Sequence, residues 1–141
     1  KAANFTVDMI NGEKIQLSDL KGKVVLLNFW ATWCAPCIRE FYEMPSKILD
    51  VYKNQDFVFI PIAIGEGNAL VSKKMLYLKE KGIDFNAGFD PAKKVWKKYA
   101  KGAIPKNFII DKKGIIRFTS TGNSEINVTI LAAQIQKLLN E

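Results

Sequence analysis

The sequence predicts an α/β fold, a central mixed β-sheet flanked by helices on both faces, and three observations predict it. Two near-continuous apolar runs, 24–30 and 57–64, read as strands buried on both sides. A helical pattern from 35 to about 52 separates them, so the strands are parallel and reached by a crossover. Segments 107–111 and 115–121, joined by Lys112-Lys113-Gly114, read as an antiparallel hairpin, which makes the sheet mixed.

The remaining elements follow in order. Phe5 to Ile10 and Lys14 to Leu17 flank Asn11-Gly12, a pair that favours a tight turn, so the chain opens with a short hairpin. Ser18-Asp19-Leu20-Lys21-Gly22 reads as one capped turn ended by glycine. In the helix from Ala35, residues Ile38, Phe41, Ile48, Leu49 and Tyr52 are available for a buried face, and Pro45 should kink it. Gly65-Glu66-Gly67-Asn68 opens a helix to Lys81 whose Val71, Met75 and Leu78 share a face. Asp90-Pro91 reads as the N-cap and first turn of a short helix with Val95, Trp96 and Tyr99 inward. Ser124 is expected to cap a last helix carrying Val128, Leu131, Ile135 and Leu138 on one side.

A length of 141 residues fits one domain, 1–141, with a sizeable core. The net charge is +7, and nine lysines fall in 73–101 against Glu80, Asp84 and Asp90, so the basic excess is regional. The longest apolar stretch is about half of what a membrane span requires. The chain begins at Lys1 without a signal peptide. The expectation is a mature form whose targeting or membrane-anchoring segment lies outside these residues.

The chemistry is concentrated at Trp33-Cys34-Ala35-Pro36-Cys37, where the first buried strand hands over to a helix. Unpaired N–H groups and the positive dipole end stabilise an anion there, so a thiol ionises readily. A separation of three positions brings the sulfurs close enough for a small disulfide ring once the first turn forms. Cys34 is expected at an exposed tip and Cys37 about one turn inward, with Pro36 tolerated in the first turn. Other uses of the pair are weaker. A bridge over so short a loop is a poor structural staple. Zinc needs two further ligands, and the chain has no other cysteine and no histidine, so no metal is expected. Two buried, inert thiols are the plain alternative. A reactive CxxC at a strand-to-helix junction of a βαβ unit points to a thioredoxin-like redox fold.

Residues 22–37, Gly-Lys-Val-Val-Leu-Leu-Asn-Phe-Trp-Ala-Thr-Trp-Cys-Ala-Pro-Cys, with Ile104-Pro105, Asn107 to Asp111 and Lys113-Gly114, resemble the TlpA/ResA-type thiol-disulfide oxidoreductases. The likeness covers roughly 5–140, and the N-terminal hairpin and the βα insertion around 57–81 are similar to that subgroup's additions to plain thioredoxin. It implies a reductase of protein disulfides in which Cys34 attacks and Cys37 resolves, with no cofactor beyond this pair. Trp33 would belong to the contact surface around Cys34. Ala35 and Pro36, like thioredoxin's small residue plus proline, tune the pair toward a reductant. Pro105 would be cis and pack against the disulfide, leaving Ile104 to offer main-chain hydrogen bonds to a substrate.

Thioredoxin carries a buried carboxylate where this chain has Asn28, which accepts no proton. The resemblance assigns that role to Glu40, one helical turn past Cys37, where partial burial would raise its pKa. The family usually reads Glu-x-Pro soon after the cysteines. Here Arg39-Glu40-Phe41-Tyr42 precedes Glu43-Met44-Pro45, so Glu43 is the alternative, one turn farther from the thiols. The implied partners are a protein disulfide substrate, such as apo-cytochrome c cysteines, and an upstream dithiol electron donor. The implied setting is periplasmic or extracytoplasmic, as a monomer without nucleic acid.

Four competing readings rest on other residues. The lysine-rich 73–101 surface could act as a non-enzymatic interaction module, although lysines without interleaved exposed aromatics read as a solvated face. Gly65-Glu66-Gly67-Asn68-Ala69-Leu70 is superficially like a dinucleotide fingerprint, with Leu70 at the third glycine site. A peroxidase of this fold would place its cysteine differently. Asn4-Phe5-Thr6 and Asn127-Val128-Thr129 match the glycosylation acceptor pattern.

Overall fold

The computed structural model describes residues 1–122, 124 and 126–141. The elements run β1 (Thr6–Met9), β2 (Lys14–Gln16), a 3-10 turn (Leu17–Leu20), β3 (Val24–Trp30), α1 (Ala35–Met44), a π-helical stretch (Pro45–Leu49) and α2 (Asp50–Tyr52). Then come β4 (Phe57–Ile64), α3 (Asn68–Lys79), β5 (Gly88–Asp90), α4 (Lys94–Tyr99), β6 (Lys106–Ile110), β7 (Ile116–Thr121) and α5 (Asn127–Leu139). The strands form one mixed sheet in the order β2-β1-β5-β4-β3-β6-β7, parallel across β5-β4-β3 and antiparallel toward either edge.

Alternate side chains of a strand point to opposite faces, so a strand covered on both sides must be apolar nearly throughout. β3 is buried at every residue. Its Val24, Leu26 and Trp30 join the core beneath α1, α3 and α5, and its Val25, Leu27 and Phe29 join the core beneath α4 and the N-terminal hairpin. By the same alternation Asn28, the one polar residue of β3, faces α1. Asn107, its cross-strand partner on β6, faces α1 too.

Four local expectations are corrected. The helix from Ala35 does break at Pro45, but as a π-helical stretch in which the Asp50 N–H reaches the Pro45 carbonyl. Strand β5 was not expected, because three residues carry no periodicity. Gly88 permits it: a Cβ there would lie 2.9 Å from Val7 Cγ2, so only glycine lets β5 approach β1. Asp90 ends β5 rather than starting the helix, and its carboxylate accepts the N–H groups of Lys94, Val95 and Trp96 at 2.9–3.0 Å. Ser124 supplies no side-chain cap to α5; Ile126 holds the cap position, and Ser124 lends its carbonyl to the Asn127 N–H.

Candidate active site

The C-terminal end of β3 delivers the two cysteines to the start of α1. Cys34 is the N-cap, Ala35 and Pro36 form the first turn, and the Cys37 N–H donates to Cys34 Sγ at 3.3 Å. This is the helix-end stabilisation expected of the position, since a first-turn N–H points at the sulfur. Cys34 and Cys37 are joined as a disulfide with their Cα atoms 5.3 Å apart. The expected exposed tip is corrected. Cys34 is only 4% exposed and Cys37 fully buried, because the cap geometry folds the sulfur back over the helix; Trp33, 73% exposed, takes the tip instead. Cys34 still lines an open hollow with Trp33, Ala35, Pro36, Gly102, Ala103 and Ile104. The Ile104 carbonyl lies 3.9 Å from Cys34 Sγ, the Ile104–Pro105 peptide is cis, and Pro105 is buried.

Glu66, read from the sequence only as part of a glycine-rich turn, anchors this loop. Its carboxylate accepts the Thr32 N–H at 2.8 Å and the Thr32 hydroxyl at 2.5 Å, tying the β4–α3 turn to the residue before Trp33. A buried carboxylate there also opposes the dinucleotide reading, whose pyrophosphate would have to approach the same turn.

On α1, Cys37, Glu40, Phe41 and Met44 form one buried stripe at helical spacing, and Glu40 is its only charge. Three asparagines meet it. Asn28 and Asn107 donate to Oε1 at 3.0 and 2.9 Å, and Asn127, from the first turn of α5, donates to Oε2 at 2.7 Å. Asn28 also donates to Asn107 Oδ1 at 2.8 Å, while its own Oδ1 has no partner among the described residues. Burial pushes the Glu40 carboxyl above its ordinary value. Hydrogen bonds from Asn107, Asn127 and Asn28 pull the other way, the nearby Glu43 adds to the rise, and the net direction is up. Glu43 itself is half-buried and pairs with Lys47 at 2.5 Å.

The sequence reading missed the amide cluster. Asn28 and Asn107 each interrupt an apolar strand on the α1 side, a signal legible in principle. Asn127 gave no local sign, being 87 positions from Glu40. Its burial removes it as a glycosylation acceptor in the folded chain. Among the described residues no group of three or more His, Cys, Asp or Glu side chains could hold a metal ion.

Residues 1–119 match the AhpC/TSA family. The thiol-disulfide oxidoreductase ResA of Bacillus subtilis is 36% identical over 121 residues, covering 86% of this chain and 65% of ResA. The chain therefore spans a little under two thirds of the length of the curated relatives it matches. The solution structure of a candidate protein disulfide isomerase from Bacteroides thetaiotaomicron superposes with a TM-score of 0.88 at 33% identity, over 99% of this chain and 88% of that one. A crystal structure from Chlorobium tepidum, a candidate thiol:disulfide interchange protein DsbE, gives 0.84 at 28% identity over 99% and 95%. On these matches the chain belongs to the AhpC/TSA family, and within the thioredoxin-like superfamily it is of the TlpA/ResA type.

Proposed function

We propose that this chain is a thiol-disulfide oxidoreductase that reduces protein disulfides through Cys34 and Cys37. The observation that carries the reading is the pair itself: a disulfide at a helix N-terminus, lining an open hollow, with a buried carboxylate one turn along the helix.

In the reduced protein the Cys34 thiolate attacks one sulfur of the substrate disulfide, forming a mixed disulfide and expelling the other sulfur as thiolate. Cys37 then loses its proton to Glu40 and attacks Cys34 Sγ. The mixed disulfide breaks, the second substrate thiolate leaves, and the Cys34–Cys37 disulfide forms. The substrate has gained two electrons, which an upstream dithiol donor must restore. A carboxyl with a raised pKa suits this step, since it holds a proton more readily than an exposed glutamate does. Ile104, half-buried beside Cys34, would pair its backbone with a substrate chain, with Trp33 as the wall and the cis Ile104–Pro105 peptide supporting it. Asn28, Asn107 and Asn127 act through Glu40 as positioning residues. Peroxide reduction is less well supported, because both sulfurs sit within one turn, an arrangement suited to internal resolution.

The same reading takes residues 1–141 as one domain, because both apolar cores share one sheet. It places the protein outside the cytoplasm as a monomer and makes apo-cytochrome c cysteines one substrate. The test is trapping: reduced Cys37→Ser protein should hold substrates from an extracytoplasmic extract as mixed disulfides released by dithiothreitol. In the reduced wild type, Cys34 should be alkylated ahead of Cys37 at neutral pH. Two sluggish, shielded thiols would overturn the reading.

A further inference from the structure

Resting on that exchange reading, we propose that the groove between α1 and α3, beside the disulfide, docks an extended acidic segment of the substrate protein. Large apolar side chains left in water over a contiguous area mark an interaction surface. Besides Trp33, residues Tyr42, Leu70 and Tyr77 are each at least half exposed. They are not scattered. The hollow over Leu70, Lys73, Lys74 and Tyr77 shares Lys74 and Tyr77 with a second that runs through Ile38 and Arg39 to Tyr42 and Trp33. Trp33 and Ala35 then wall the hollow over Cys34, so the surface is continuous from α3 to the sulfur.

The charges along this groove have one sign. Among the described residues Arg39, Lys73 and Lys74 line it, no carboxylate does, and none of the three is in an ion pair. Glu66, in contact with Thr32 at its edge, is buried and already engaged. Lys74 and Lys81 place their Nζ atoms 5.2 and 5.6 Å from the Tyr77 ring centroid, so one ring serves two cations. A carboxylate entering between such cations is attracted by each and relieves their mutual repulsion.

The sequence reading of 73–101 as lysines without interleaved exposed aromatics is corrected at Tyr77. Tyr77 stands exposed among Lys73, Lys74 and Lys81, whereas Lys93 to Lys101 accompany α4 on the other face of the sheet. One basic stretch in sequence is two surfaces in space. The α3 half adjoins the disulfide, and a cysteine arriving at Cys34 brings its neighbours, extended at about 3.3 Å per residue, along the groove that starts at Trp33. A nucleic acid or a lipid headgroup would meet the lysines but carries no disulfide for the adjoining hollow.

The experiment uses two peptides with one cysteine held as a mixed disulfide with a small thiol, identical except for a glutamate-rich or a lysine-rich flank. A small organic disulfide serves as the third substrate. Rates are read with the reduced wild type and with Lys73→Glu/Lys74→Glu protein. The acidic-to-basic rate ratio cancels any change in thiol reactivity. It should be about tenfold in the wild type, fall as salt rises, and drop to one or invert in the variant. A wild-type ratio near one, or a ratio the variant leaves unchanged, overturns the docking while reduction of the small disulfide leaves the exchange reading standing. Failure to reduce the small disulfide overturns both. Binding to phosphatidylglycerol vesicles or to a single-stranded oligonucleotide that the variant abolishes, with the peptide ratio near one, overturns it in favour of a polyanion surface.

Discussion

Glu40 and Asp111 are both closed off from water, and the fold treats them in opposite ways. Asp111 sits in the β6–β7 hairpin, at the end of the sheet away from the cysteines. There it accepts the Lys113 and Ile115 N–H groups at 2.9 Å and Arg117 at 3.1 Å. Burial raises its pKa, but the Ile115, Arg117 and Lys113 hydrogen bonds and the guanidinium charge outweigh it, and the net direction is down. Among the described residues Glu40 receives three neutral amides and no cation, and for it burial wins. Hydrogen bonds favour the ionised form of both carboxylates; at Asp111 they and the guanidinium charge together exceed the cost of burial, and at Glu40 the three amides do not. The turn carboxylate is thus biased toward its ionised form and the helix carboxylate toward its protonated one, which suits the proton exchange proposed for it.

The largest expected effect separates the two by chemistry. Glu40→Gln should slow resolution of the mixed disulfide by about 100-fold with little change in the first attack, and Asp111→Asn should change neither, as read by stopped-flow with a chromogenic disulfide. Equal slowing of both steps would mean that Glu40 serves only the packing. Next, Asn127→Ala removes one donor to the ionised form. It should cost about 1–3 kcal/mol in denaturant unfolding and move the acid limb of the resolving step to higher pH.

Asp111→Ala should cost about 1 kcal/mol, since two hairpin N–H groups lose their acceptor, and leave the pH profile of exchange where it was. The smallest effects are opposite slopes of stability with pH in the oxidised protein. Because the folded pKa of Glu40 is raised, its contribution is full below the unfolded value and is lost as pH climbs through the folded one; Glu40→Gln should flatten that decline. Asp111, lowered, contributes above its unfolded value and loses that contribution as pH falls through the folded one; Asp111→Asn should flatten that end.

Much of the site could be read along the chain. The run from Val24 to Trp30 predicts a strand buried on both faces, and β3 is one. The Cys34 and Cys37 spacing predicts a ring across the first turn of a helix, and the helix starts there. The places where the reading failed share a cause. Asp90 is an acceptor of helix N–H groups as expected, but from the end of a strand too short to show a period. Cys34 is recessed because the sulfur turns back over its own helix, and no pattern of residue types encodes that.

What the sequence alone determined is which residues are near one another along an element and which face they share: the dithiol at a helix start, and Glu40 one turn beyond Cys37 on the same face. Only the tertiary structure decided what surrounds that carboxylate. Asn28, Asn107 and Asn127 lie 12, 67 and 87 positions from Glu40, and they converge through the pairing of β3 with β6 and the docking of α5 against α1. Periodicity reports local geometry, whereas strand order and register set which distant amides meet a buried charge.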